Sequence, residues 1–234
     1  MKYLSFLFFL ISLGSFNSLY AQEEVIIANP VDSLYREDQF YLNISYNMMQ
    51  NKPADYQQRG YFSNLGFGFL RDIPLNKRRN VAVAPGIGYT YSRTNSNLFI
   101  QPENNLNLEN NIVVVDRSSY DKNILTYHNL DIPIEFRWRT SVPETHKFFR
   151  IYAGVKFSYI FANQSNFKSP AQDVKVTGIK EIKNFQTGLY LALGYNTWNV
   201  YTYYGLTPLL ETKNQSSEQI KMNTFHIGLA FYIL

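Results

Sequence analysis

From Ile151 to Phe161 every second residue is apolar or aromatic (Ile151, Ala153, Val155, Phe157, Tyr159, Phe161), while Tyr152, Gly154, Lys156 and Ser158 stand between them. A period of two is the signature of a strand whose faces meet different surroundings. One face suits lipid, the other a cramped polar interior. The division recurs with Phe185, Leu189, Leu191 and Leu193 against Gln186, Gly188, Tyr190, Ala192 and Gly194. Near the end it sets Phe225, Ile227, Leu229, Phe231 and Ile233 against His226, Gly228, Ala230 and Tyr232.

Eight segments alternate at about the length of a membrane strand, roughly 9 to 11 residues: residues 40–47, 61–70, 80–92, 124–139, 148–162, 182–195, 198–206 and 223–234. After residue 21 no stretch approaches the roughly 18 continuous apolar residues of a spanning helix. Spanning must therefore be by strands, and strands in lipid must close so that no edge is unpaired. Connections 48–60, 93–123, 163–181 and 207–222 are long and polar, whereas 71–79, 140–147 and 196–197 are short. Long external loops alternating with short periplasmic turns mark outer-membrane barrels. The expected fold is all-β, an eight-stranded antiparallel transmembrane β-barrel with periplasmic N- and C-termini. A soluble secreted sandwich or lipid-carrying calyx is the alternative; apolar outward positions continuing to the C-terminus argue against it.

Residues 1–21 have the layout of a secretory signal: Met1-Lys2, an apolar run from Tyr3 to Leu13, and a cleavage site after Ala21. Residues 22–39 carry Glu23, Glu24, Asp32, Glu37 and Asp38 without periodicity and form a periplasmic lead-in; residues 40–234 form the barrel. The expected location is the outer membrane, with the barrel multiply spanning it. Charged residues are only 17% and the net charge is +4, too mild to imply nucleic acid. There is no Cys, which excludes disulfides, thiolate metal sites and a lipid-modified cysteine.

Residues 129–139 hold apolar or aromatic side chains at even positions and Asp131, Glu135, Arg137 and Arg139 at odd ones. Charge facing lipid is costly, so these must point into the lumen or the periplasmic mouth. If Arg139 pairs with Phe148, Asp131 falls opposite Lys156, an inward ion pair. Asp131, Glu135, Arg137 and Lys156 are thus the expected lumen network. Eight strands leave an interior just wide enough for side chains, so the network reads as a plug and not an ion path.

Arg71, Asp72, Lys77, Arg78 and Arg79, with Arg137, Arg139, Lys147 and Arg150 nearby, are expected at the periplasmic rim, able to hold lipid phosphates or an acidic partner. Tyr46, Tyr61, Tyr89, Tyr91, Tyr159, Phe161 and Phe185 are expected in the outer aromatic girdle. Phe69, Trp138, Phe149, Tyr195 and Trp198 are expected in the periplasmic one, with Tyr195 opposite Trp198 across the turn at 196–197.

His128, His146 and His226 have no metal-ligand spacing, and no nucleophile elbow, HExxH or phosphate loop is present. No cofactor, metal or catalytic residue is expected. A lipid-modifying barrel built on outward-facing His128 stays open as a minor alternative. So does a general surface barrel that binds lipid or an external ligand through its long loops.

Two stretches, residues 64–89 (with Arg71-Asp72-Ile73-Pro74) and residues 130–139 (with Glu135-Phe136-Arg137-Trp138-Arg139) continuing into 149–158, resemble those of the PorT family, outer-membrane barrels of the Bacteroidota. The resemblance implies a part in assembly or operation of the type IX secretion system, which in gliding bacteria also delivers adhesins. It further implies partners among outer-membrane lipids and other secretion-system or periplasmic proteins. It carries no catalytic residues.

Overall fold

In a computed structural model, residues 38–53, 55–60, 63–102, 112–140, 149–195, 197–213 and 219–233 are described. The stretch expected to be a signal sequence, most of the expected lead-in, and Tyr61, His146, Lys147, Phe148, Asn196 and Leu234 lie outside them.

The barrel strands are β1 (Gln39–Gln50), β2 (Asn64–Leu70), β3 (Val81–Ser96), β4 (Lys122–Arg139), β5 (Phe149–Lys168), β6 (Phe185–Tyr195), β7 (Trp198–Gly205) and β8 (Gln219–Ile233). Each pairs antiparallel with the next, and β1 closes on β8 from Phe40 opposite Ile233 to Gln50 opposite Asn223. Among the described residues no barrel edge is left open, as a sheet in lipid requires.

The alternation read from the sequence holds. On β4, Leu130, Ile132, Ile134, Phe136 and Trp138 are exposed while Asp131, Glu135 and Arg137 are at most 1% exposed. Charged inside and apolar outside is the reverse of a water-soluble protein, and it is stable only where the outer surface meets hydrocarbon. Aromatic rings gather at both ends of the apolar band. Phe40 packs against Phe69 at 5.3 Å and Phe149 against Tyr195 at 4.8 Å at the periplasmic end; His128 meets Tyr91 at 5.3 Å and Phe161 at 6.0 Å at the other. Tyr195 does pair with Trp198 in register, but Trp198 turns its ring onto Phe231, 5.4 Å away.

Among the described residues, the long connections extend the strands where loops are expected. β3 and β5 run on past the membrane, Asp173–Thr177 folds back on β5, Leu98–Ile100 pairs with Ile112–Val114, and Leu210–Lys213 pairs with β8. Leu98, Ile100, Ile112, Ile182, Leu209 and Met222 converge from these hairpins into one buried apolar cluster at the external end. At the start of β5's extension His128 faces Ala162 while Asn129 faces Ile160, so Phe161 is a bulged extra residue. The bulge reverses which alternate residues face inward: Ile160 is buried before it, Ser165 and Phe167 after it.

Candidate functional site: a filled lumen lined with ion pairs

The lumen is occupied by side chains from mouth to cap. At the periplasmic end the short turn between β2 and β3 folds back into the barrel, and Asp72, 1% exposed, reaches the inward guanidinium groups of β4. Arg139 Nη2 and Nη1 donate to Asp72 Oδ2 and Oδ1 at 2.9 and 3.1 Å, and Arg137 Nη1 donates to Oδ1 at 2.9 Å. Arg137 Nε donates to Glu135 Oε1 at 2.7 Å, and Tyr232 donates to Glu135 Oε2 at 3.1 Å. Two carboxylates thus face two guanidinium groups, and the Arg137 plane lies 5.0 Å from the Tyr152 ring. Bidentate arginine geometry of this kind offsets much of the desolvation that isolated buried charges suffer.

Asp72 had been assigned to the rim, and the structure moves it inside. Its backbone N–H donates to Asp38 Oδ1 at 2.9 Å, and the Arg79 carbonyl accepts from Arg139 Nε at 3.1 Å, so the turn is clamped from both ends. Arg79 takes a left-handed φ of 56° to present that carbonyl. Arg71, Lys77 and Arg78 stay exposed, whereas Arg137, Arg139 and Arg150 are buried and leave the surface rim. The clue in the sequence was that Asp72 is the lone acid in residues 71–79.

Deeper, Tyr41, Tyr152, Tyr190, Tyr201 and Tyr232 fill the width beside Ala84, Ala192 and Ala230. The space left among Tyr41, Glu135, Lys156, Tyr190 and Tyr201 is about 10 Å³, room for about one water.

Above it, Lys156 Nζ lies 3.8 Å from Asp131 Oδ2, both inward. The register that led to this pair was off by two: Arg139 pairs with Arg150, so Asp131 stands opposite Ser158 and Lys156 opposite Pro133. The long Lys156 stem spans the diagonal. Thr90 and Ser158, neither foreseen, each donate to Asp131 at 2.5 Å, and Lys156 stacks 4.5 Å from the Tyr203 ring. Trp138, Tyr195 and Trp198 are exposed on the outer wall. His128 is in the outer girdle, its Nδ1 2.6 Å from the Tyr89 hydroxyl. Among the described residues no cluster of three or more His, Asp or Glu side chains suits a metal ion.

Asp72 lies in the turn, outside the spanning strands. Burial opposes its ionisation, but the hydrogen bonds and charges of Arg139 and Arg137 outweigh burial and hold its carboxyl below the usual aspartate range. A depressed folded value stabilises the barrel fully above the unfolded value of about 3.9 and is lost as pH falls through the folded one. Urea unfolding in micelles across an acid series should therefore show wild type losing stability below about pH 4 more steeply than Asp72→Asn. Parallel curves for the two would contradict this role.

Comparison with known proteins agrees with this architecture. Solved structures of the attachment invasion locus protein Ail of Yersinia pestis, alone and with the heparin analogue sucrose octasulfate, are similar at 12% and 11% identity, with TM-scores of 0.35 and 0.34. Each match covers 86% of this chain and 100% of that one. No curated protein matches the sequence. Residues 20–211 match the model of the outer membrane protein beta-barrel domain, so this chain, with its closed eight-strand wall and apolar exterior, belongs to that family of outer-membrane barrels.

Proposed function

We propose that this protein is a non-enzymatic, non-conducting barrel that works by docking other proteins, and that its partners belong to the type IX secretion system. The observation that carries the reading is the filled lumen: a conduit needs a continuous aqueous path, and charged pairs, stacked tyrosines and the external apolar cluster occupy that path. A barrel without a passage acts through its surfaces. The likeness to the PorT family in residues 64–89, 130–139 and 149–158 supplies the choice of partners. Those two motifs meet in space, since Asp72 from the first binds Arg137 and Arg139 from the second.

Clamping Asp72 also fixes what the turn displays. Arg71, Lys77 and Arg78 are exposed beside Ile73 and Leu75, which suits an acidic periplasmic partner with an apolar patch. A holding of lipid phosphates by the same residues is the competing reading of the rim.

Deleting the gene in its native host and measuring export of proteins with type IX targeting domains tests the role, with outer-membrane integrity checked in parallel. Export should fall at least tenfold; normal export would reject it. In planar bilayers the purified barrel should give no conductance steps. Replacing Lys77 and Arg78 with Gln should lower co-recovery of periplasmic partners from solubilised membranes several-fold without changing folding, and unchanged recovery would favour a lipid-anchoring rim.

A further inference from the structure

The bulge at Phe161 has an external consequence. Beyond it, the chain returns along Asp173–Thr177, turns at Gly178 with a left-handed φ of 67°, and bows out from the same edge of β5 before rejoining it as β6. That bow is anchored at a few fixed points. Asn163 Oδ1 accepts from the Ile179 N–H at 2.7 Å, the Asn184 carbonyl accepts from the Ile160 N–H at 2.7 Å, and Ile179 and Ile182 are buried in the apolar cluster. Between the bow and β5, with Thr126 and His128 of β4 beside it, lies an open cleft of about 660 Å³. Its volume is within the roughly 300–1,000 Å³ range of small-molecule sites.

Height in the membrane follows from β5. Outward residues run apolar from Phe149 to Phe161, and about twelve steps of roughly 3.3 Å at a tilt of about 40° rise roughly 30 Å, the thickness of the hydrocarbon core. Phe161 therefore marks the upper border of the apolar band, and Ala162 to Gln164 begin the headgroup layer. The cleft's lower lip is Tyr159 and Phe161, both exposed, with His128 beside them and Asn184 level with Ile160, while its upper wall carries Gln164 and Thr177. Ala162, exposed and small, leaves the floor open.

We propose that this cleft binds the saccharide headgroup of an outer-leaflet glycolipid, its acyl chains lying down the aromatic outer wall. Three properties select that class. The cleft opens at the boundary where an amphiphile changes from sugar to hydrocarbon. Its polar lining is mainly neutral amides and hydroxyls, which both donate and accept as sugar hydroxyls do. Lys180 is the one Lys or Arg of the lining, whereas sites built for a bare phosphate gather several basic groups, arginine above all. The apolar faces of sugar rings also suit the flat Tyr159 and Phe161 side chains. The proposal uses only the membrane topology and does not rest on the secretion role.

The test compares two probes, rough-type lipopolysaccharide and phosphatidylglycerol, titrated onto the folded full-length mature barrel in micelles and read as bound adducts by native mass spectrometry. Wild type should hold the glycolipid saturably, one per barrel, at least tenfold more tightly than the phospholipid. Ala162→Trp, which fills the floor, should weaken glycolipid binding at least tenfold and leave phospholipid adducts unchanged. Gln164→Ala with Asn184→Ala removes two amides without touching buried residues and should weaken it about tenfold; it decides the matter if the Trp variant fails to fold on a heat-modifiability gel. Equal retention of both lipids by wild type, or undiminished glycolipid binding in folded variants, overturns the assignment.

Discussion

Replacing Asp72 with Ala is expected to lower the unfolding free energy of the barrel by about 3–5 kcal/mol, the usual consequence of removing one partner from a buried ion pair. The carboxylate is the shared acceptor of two guanidinium groups that are at most 1% exposed, and nothing else on the turn can replace it. Arg137 would keep Glu135, but Arg139 would lose the acceptor of both its terminal nitrogens. A second change, Arg139→Met, should recover part of the loss, because an apolar stem in the mouth costs less than a buried cation that has lost its carboxylate. Urea unfolding followed by tryptophan fluorescence, with Trp138 and Trp198 as native probes, reads both. If Asp72→Ala costs less than about 1 kcal/mol, the clamp is ornamental and the turn is held by other means.

Gly228→Ala should prevent closure altogether. This glycine faces Ser45 across the seam between β8 and β1, and a methyl group there would fall onto the Ile44 carbonyl oxygen and the Ser45 backbone. Backbone atoms within a paired ladder have no rotamer into which to retreat, so the strands would have to separate. Gly205→Ala offers the contrast: its nearest neighbour is the Thr224 hydroxyl at 2.7 Å, which a χ1 rotation can move. On a heat-modifiability gel the Gly228 variant should lose the fast-migrating folded band, while the Gly205 variant should keep most of it. A normal folded band for Gly228→Ala would mean the seam yields more readily than its geometry implies.

The barrel was legible because its strongest rule is strictly local. In β4 and β5 each residue's chemistry alternates with its neighbour's, and lipid on one side leaves no other arrangement for Asp131, Glu135 and Arg137. Strand register was less legible, since alternation is unchanged by a shift of two. The Arg139–Arg150 pairing therefore differs from expectation while Asp131 and Lys156 still face inward together. The external cap was hidden for another reason. Leu98, Ile182, Leu209 and Met222 sit singly or in runs of at most three within polar connections, and their burial arises only when the hairpins converge. A short turn is expected to end at the mouth, whereas this one folds back inside it and carries Asp72 with it. The cleft beside Phe161 depends on one inserted residue, which no periodicity of the sequence reveals.

The pairing of the first strand with the last also governs how the protein must be made. Phe40 meets Ile233, so the contact that completes the wall joins the first strand of the barrel to its last. Ordering so long an intervening segment before reward arrives makes assembly slow compared with folds built from neighbouring contacts. Until residues 219–233 are in place, β1 has only β2 beside it and an unsatisfied edge on its other side. Any truncation of the last strand should therefore leave an open sheet that aggregates or is degraded rather than a closed wall.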